Sequence, residues 1–255
     1  MEQVDRDQII NELEKEAYSI FDLAESFNSK FNEFLKRYTT SILKDFGLET
    51  LSLEQLHLSL KQEQLNTFRL KLIKSISETN ELTDLIYAEL THLLHSLVGP
   101  DIAVQKIPGL SIQFPGDESS ILPFHSDVHA GNSPYEFVFW LPLTRAEGTN
   151  AMFLLPLQES LKLERRGWDE SKALSDIKSE YKDDLIRTGS GPGQAMIFSH
   201  NLFHGNTVNE EGFTRVSLNI RFKSLLTPFG EKKLGSYFRV LNVSPITRIG
   251  VMFES

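Results

Sequence analysis

At Gly99-Pro100 the chain changes character, and that change limits the folds open to it. Before it, apolar residues recur at Ile10, Leu13, Ala17, Ile20, Ala24, Phe27, Phe31, Phe34, Tyr38 and Ile42, in steps of three and four that describe one helical face. Gly47 is placed to end this helix. A second stripe, Leu65, Phe68, Leu72 and Ile76, predicts another helix. A third runs from about Leu82 to Val98, opened near Thr79 or Asn80 and closed by Gly99-Pro100. The first stripe comes close to heptad spacing, which leaves a homodimer through the N-terminal helices open; packing of Phe21, Phe27, Phe31 and Phe34 into the chain's own core is the favoured reading.

After Pro100 the pattern is one of short β-prone runs set apart by Gly, Pro and Asn: Gly109 to Phe114, Glu136 to Leu141, Ala151 to Leu155, Ala195 to Phe198, and Thr214 to Phe222. A charged, helix-prone insertion from Gln158 to Arg187 carries Lys162, Arg165 and Arg166, and Gly189-Ser190-Gly191-Pro192-Gly193 turns the chain into the next strand. The insertion reads as a solvated excursion, with a lid as its functional alternative. The expected class is α+β, with residues 1–100 forming a helical region packed on an all-β core of residues 101–255, interrupted at 158–187.

A length of 255 residues with 40% hydrophobic content fills an ordinary core without staples. The chain has no cysteine, so any metal must be held by His, Asp or Glu. A formal charge of −9 argues against a phosphate-backbone binder, and no nucleic-acid partner is expected. No secretory pattern opens the sequence and no apolar run approaches the roughly 20 residues that span a bilayer, so the expectation is a cytoplasmic protein with no membrane partner.

The chemistry concentrates in His125-Ser126-Asp127. In extended backbone, residues two apart project from one face, so His125 and Asp127 can reach the same ion. His129 shares this parity, but three consecutive same-face ligands span ~13 Å of strand, too far for one ion unless the chain bends. A ligand from a distant strand closes the site more naturally, and the candidates are His200 and His204. No Glu follows His200 as a zincin helix requires, and His204 is preferred. Two imidazoles and one carboxylate make the donor set of non-haem Fe(II) oxygenases, which leaves three coordination positions open. After ten intervening residues beyond His204 comes Arg215-Val216-Ser217, whose guanidinium fork can grip a carboxylate in two parallel hydrogen bonds. Together they point to iron with a dicarboxylate co-substrate.

This string, His-x-Asp followed by His, ten residues and Arg-x-Ser, resembles the signature of Fe(II)- and 2-oxoglutarate-dependent oxygenases, particularly their phytanoyl-CoA hydroxylase-like and clavaminate synthase-like branches, over about residues 105 to 225. The resemblance implies a double-stranded β-helix, a cupin-like jelly roll, with Fe(II), 2-oxoglutarate and O2 as its reactants and hydroxylation as the default outcome. It implies that His125, Asp127 and His204 ligate iron, that Arg215 clamps the distal carboxylate with Ser217 as hydroxyl partner, and that Gln113 and Asn206 add co-substrate contacts. The connection from Asp127 to His204 is longer than in compact members, and the insertion accounts for the excess. Asp127 separates the chain from the similar iron halogenases, which lack this carboxylate. Arg221 shares the face of Arg215 and is open to two readings, an anion contact or a rim salt bridge. Phe124, Phe137, Phe139 and Trp140 are read as core.

The stretch from His204 to Phe222 is similar to a subgroup of these oxygenases from sporadic carbohydrate-biosynthesis clusters, streptomycin-pathway relatives among them. That similarity implies a small-molecule substrate: a sugar, aminocyclitol or nucleotide-sugar. The alternatives are a hydroxylase of a free amino acid or other small metabolite, and a non-catalytic cupin-like binder of metal or sugar, to which Arg215 would be superfluous.

Overall fold

A computed structural model describes residues 5–167, 180–181 and 183–254 of the protein. The N-terminal region comprises helix α1 (Arg6–Glu16), strand β1 (Tyr18–Asp22), and helices α2 (Glu25–Asp45), α3 (Gln62–Ser77) and α4 (Glu81–Val98). The single helix expected through Ile10 to Ile42 is therefore two helices with a strand between them. Ala17 takes a left-handed φ of 61° and returns its N–H to the carbonyl of Leu13, which ends α1. Tyr18 to Asp22 then pairs antiparallel with residues 194–198, from Tyr18 opposite Phe198 to Asp22 opposite Gln194. That pairing satisfies backbone groups which a sheet edge would otherwise leave open.

The β region runs β2 (Ile102–Gln105), β3 (Gly109–Gln113), β4 (Glu136–Pro142), β5 (Phe153–Leu154), β6 (Ile186–Arg187), β7 (Gln194–Ser199), β8 (His204–Gly205), β9 (Arg215–Ser224) and β10 (Phe238–Asn242), with helix α5 (Leu157–Arg166) after β5 and helix α6 (Pro245–Glu254) at the end. A large antiparallel sheet has the order β1-β7-β4-β9-β2-β10, with β3 also pairing β9, and a small sheet has the order β6-β5-β8. A single bridge between His125 and His204 extends the small sheet by one step. The fold is thus a mixture of helices and antiparallel sheet, as expected. Strands β1, β2, β6, β8 and β10 and helix α6 have no counterpart in the sequence pattern, which reads His204-Gly205 as loop and Ile186-Arg187 as part of the helix-prone insertion.

Alternation along β9 organises the whole domain. Val216, Leu218, Ile220 and Phe222 enter one core with Phe137, Phe139, Ile112 and the helical residues Phe27, Phe34, Phe68 and Leu72. Each fully buried phenyl there contributes ~1.5–3 kcal/mol, so the helical layer is an integral wall of the domain. The stripe on α2 is consumed inside the chain, with Phe27, Phe31 and Phe34 all buried. On the opposite sheet face Val138, Trp140, Met196 and Phe198 pack with Leu154 and Leu202, so Trp140 turns the other way from its neighbours Phe139 and Leu141. Into this second space β9 directs Arg215, Ser217, Asn219, Arg221 and Lys223.

Helix α5 and strand β6 occupy the two ends of the expected insertion; its residues 168–179 and 182, on which the lid reading depends, lie outside the described residues. No helix among the described residues is long and apolar enough to cross a membrane.

Candidate metal centre

His125 and His204 exchange both backbone hydrogen bonds, His125 N to His204 O at 3.0 Å and His204 N to His125 O at 2.9 Å. A directly opposed antiparallel pair places both side chains on one side of the sheet, and the two rings lie with centroids 4.5 Å apart. Ser126 remains extended, after which Asp127–Ala130 curls into a 3-10 turn that aims Asp127 back at the histidines. The turn is pinned: Asp127 N donates to the carbonyl of His200 at 3.1 Å, and Asn132 Nδ2 donates to the Asp127 carbonyl at 2.9 Å. One ligand atom from each of His125, Asp127 and His204 then falls within 4.8 Å of the other two. Metal–ligand bonds of ~2.1 Å close such a spread with small side-chain rotations.

The donor chemistry fits a divalent ion. His125 Nδ1 lies 2.6 Å from the carbonyl of Pro123, and His204 Nδ1 lies 2.9 Å from that of Leu202. A carbonyl only accepts, so both rings carry their proton on Nδ1 and keep the Nε2 lone pair for a metal. Burial holds His204 neutral, its pKa lowered to about 4. Burial by itself would raise the pKa of Asp127; contact with His125 and the charge of Arg221 outweigh it and keep the carboxylate ionised far below its ordinary range.

His200 is fully buried, but its Nε2 donates to the Ser133 carbonyl at 2.6 Å and its Nδ1 lies 3.7 Å from Asp127 Oδ2, outside the cluster. His129 turns away and bonds Glu164 at 2.9 Å.

Arg215 is 3% exposed. Its guanidinium donates to Ser217 Oγ at 2.9 Å, Ser111 Oγ at 3.2 Å and Gln113 Oε1 at 3.3 Å, all neutral acceptors. Among the described residues no carboxylate pairs with it, and burial lowers its pKa to about 10. The structure thus brings Arg215, Ser217 and Gln113 together. It sends Asn206 elsewhere: Asn206 Oδ1 accepts from Leu122 N at 2.5 Å and Nδ2 donates to the Ser120 carbonyl at 3.1 Å, so its amide braces the loop ahead of His125. No co-substrate contact is assigned to Asn206.

Ser111 carried no prediction; its sequence signal is that it stands two residues before Gln113 on one strand and so shares its face, and the structure places it opposite Ser217. Sequence reasoning left the partner of Arg221 undecided, and that partner is Asp127, with Arg221 Nη2 2.7 Å from Oδ2.

No family model matches the chain. The streptomycin biosynthesis protein StrG of Streptomyces griseus is 26% identical over 132 residues, which are 51% of this chain and 52% of StrG, so the chain spans about half the length of that curated relative. Among solved structures, the non-haem monooxygenase ThoJ in its nickel complex superposes with a TM-score of 0.53 at 14% identity, covering 92% of this chain and 84% of ThoJ. EctD from S. alaskensis, determined with 2-oxoglutarate and 5-hydroxyectoine, gives 0.57 at 14% identity over 86% of this chain and 76% of EctD. At these identities the likeness to both structures is one of fold.

Proposed function

We propose that the protein is an Fe(II)- and 2-oxoglutarate-dependent oxygenase that uses O2 to hydroxylate a small polar metabolite, a sugar, aminocyclitol or nucleotide-sugar. The observation that carries this reading is the buried guanidinium of Arg215, which has hydrogen-bond partners but no counter-ion among the described residues. A dry, unneutralised cation is a site for an anion, and its company with two imidazoles and a carboxylate makes a chelating dicarboxylate the fitting one. Support for the double-stranded β-helix comes from the two facing sheets, with the metal-binding histidines bridged at the margin of the smaller. The substrate class rests on the similarity to StrG, and a free amino acid remains the second choice.

In this reading His125, Asp127 and His204 hold the iron, whose bound form activates O2 for attack on an unactivated C–H bond. Arg215 and Ser217 fix the far carboxylate of the co-substrate, and Gln113 holds the guanidinium in the plane that presents its fork. Val138, Trp140, Met196 and Phe198 wall the interior with apolar surface and keep water from competing with these contacts.

The test is anaerobic addition of Fe(II) and then 2-oxoglutarate to the protein. A weak visible charge-transfer band is the expected result, and its absence at saturating concentrations refutes the reading in favour of a plain binder. Succinate release against a panel of sugars, aminocyclitols, nucleotide-sugars and amino acids then assigns the substrate class.

A further inference from the structure

Arg221 is built into the site as firmly as the ligands, yet it faces no ligand position. Its side chain is 13% exposed, and Nη2 meets the outer oxygen of Asp127, Oδ2, at 2.7 Å. The other oxygen, Oδ1, lies 3.5 Å from His125 Nε2, on the side of the cluster. The arginine is itself held in place. Gln105 Oε1 accepts from the Arg221 backbone N at 3.1 Å and from Nη1 at 3.5 Å, and Tyr237 Oη lies 3.2 Å from Nη1. Gln105 is oriented in turn, since its Nε2 donates to the Ile107 carbonyl at 2.6 Å and so turns Oε1 toward the guanidinium.

We infer that Arg221 is a positioning residue that makes Asp127 a one-oxygen ligand. This rests on the reading of His125, Asp127 and His204 as an iron site. A free carboxylate can give a metal either one oxygen or both. With Oδ2 held in a charge-assisted hydrogen bond to a braced guanidinium, Oδ1 is the oxygen turned toward the histidines and the one placed to give. The position that Oδ2 would have taken stays available to the co-substrate or to O2. Two arginines on one face of β9 therefore have different tasks: Arg215 has no carboxylate partner among the described residues and awaits one, whereas Arg221 occupies half of one and keeps it off the metal.

The experiment compares the full chain with Arg221→Met, Arg221→Lys and Tyr237→Phe. Co(II) binding is read from visible absorption, whose intensity falls as the coordination number rises, and 2-oxoglutarate binding is read from the charge-transfer band of the Fe(II) form. Arg221→Met is expected to bind one metal per chain, with weakened Co(II) absorption and a co-substrate affinity reduced by roughly tenfold or more. Arg221→Lys keeps the charge without the fork and restores the spectrum in part. Tyr237→Phe removes a brace, leaves the charge and moves both readouts in the same direction by less; it carries the test if Arg221→Met does not fold. Wild-type Co(II) spectra and co-substrate affinity in Arg221→Met, or in Tyr237→Phe where that variant stands in, overturn the inference. Should the wild-type protein give no band with Fe(II) and 2-oxoglutarate, the oxygenase reading fails by itself, and the Co(II) comparison still decides Arg221 because it needs no co-substrate.

Discussion

Replacing Arg215 with Met separates metal binding from co-substrate binding, and the expected size of the effect follows from the pocket. Burial lowers the guanidinium pKa from 12.5 to about 10 with no opposing contribution from an acid among the described residues. Keeping that cation charged in its dry surroundings therefore costs on the order of 3 kcal/mol, which a bound carboxylate recovers. Loss of this term lowers 2-oxoglutarate affinity by roughly a hundredfold. At a ligand concentration of about 100 Kd the wild-type chain gains ~2.7 kcal/mol of stability, a rise in Tm of roughly 5–10 °C for a chain of this length. In Arg215→Met the same concentration yields ~0.4 kcal/mol and a rise of about 1 °C. The assay is calorimetric melting of the Mn(II) form with and without 2-oxoglutarate, Mn(II) serving to avoid turnover. The shift caused by Mn(II) alone is expected to match in the two proteins, because Arg215 touches none of His125, Asp127 and His204. Equal 2-oxoglutarate shifts in wild type and Arg215→Met would refute the argument that the unneutralised guanidinium is the carboxylate site.

Asp127→Ala is expected to abolish Fe(II) binding and also to destabilise the metal-free protein by ~3–5 kcal/mol, because it leaves the Arg221 charge buried without its carboxylate; anaerobic iron titration and urea unfolding read the two effects. His204→Ala should lose iron while His200→Ala keeps it at a stability cost of ~1–3 kcal/mol, since His200 donates to the Ser133 carbonyl outside the ligand cluster; the opposite pattern in an iron titration reassigns the third ligand. Glu136 is buried with Oε2 unpartnered, and burial, its largest influence, raises its pKa above 4.5. A carboxyl whose folded pKa is raised contributes stability below its unfolded pKa that is lost as pH rises through the folded value. Glu136→Gln should therefore gain stability relative to wild type between pH about 4 and neutrality, and urea midpoints that move in parallel over that range would contradict it.

Much of the site was legible because its residues obey local rules. Arg215 and Ser217 sit two apart on a strand with strict alternation, so their common face follows from Val216, Leu218 and Ile220 needing the other one. His125 and Asp127 obey the same parity only in part: Ser126 is extended, but Asp127 already belongs to a turn, and the two carboxylate oxygens find their partners through that turn. What the sequence hid was non-local. Ala17, Ile20 and Ala24 keep helical phase across Tyr18–Asp22, and nothing nearby reveals that this segment is needed at the margin of β7, whose paired residues lie 172 to 180 positions further on (194 − 22 and 198 − 18). Asn206 lies beside a ligand histidine, which made it a credible co-substrate contact, yet its amide is taken by Ser120 and Leu122, a demand visible only once the loop before His125 is folded. The same holds for Arg221: the strand period gives its face, and only the tertiary fold gives its acid.

The counter-ion decides what each of the two arginines can recognise. At Arg215 the hydroxyls of Ser111 and Ser217 and the amide of Gln113 satisfy the geometry of the fork without cancelling its charge. An incoming carboxylate exchanges neutral hydrogen bonds for charge-assisted ones and gains an attraction that low dielectric surroundings strengthen. At Arg221 the charge is already matched by Asp127, so an anion arriving there has to displace a buried ion pair and leave the metal-binding carboxylate unbalanced. Recognition of an anionic group by Arg221 is therefore the weaker reading of that residue, and in the proposed function selectivity for a carboxylate ligand falls to Arg215.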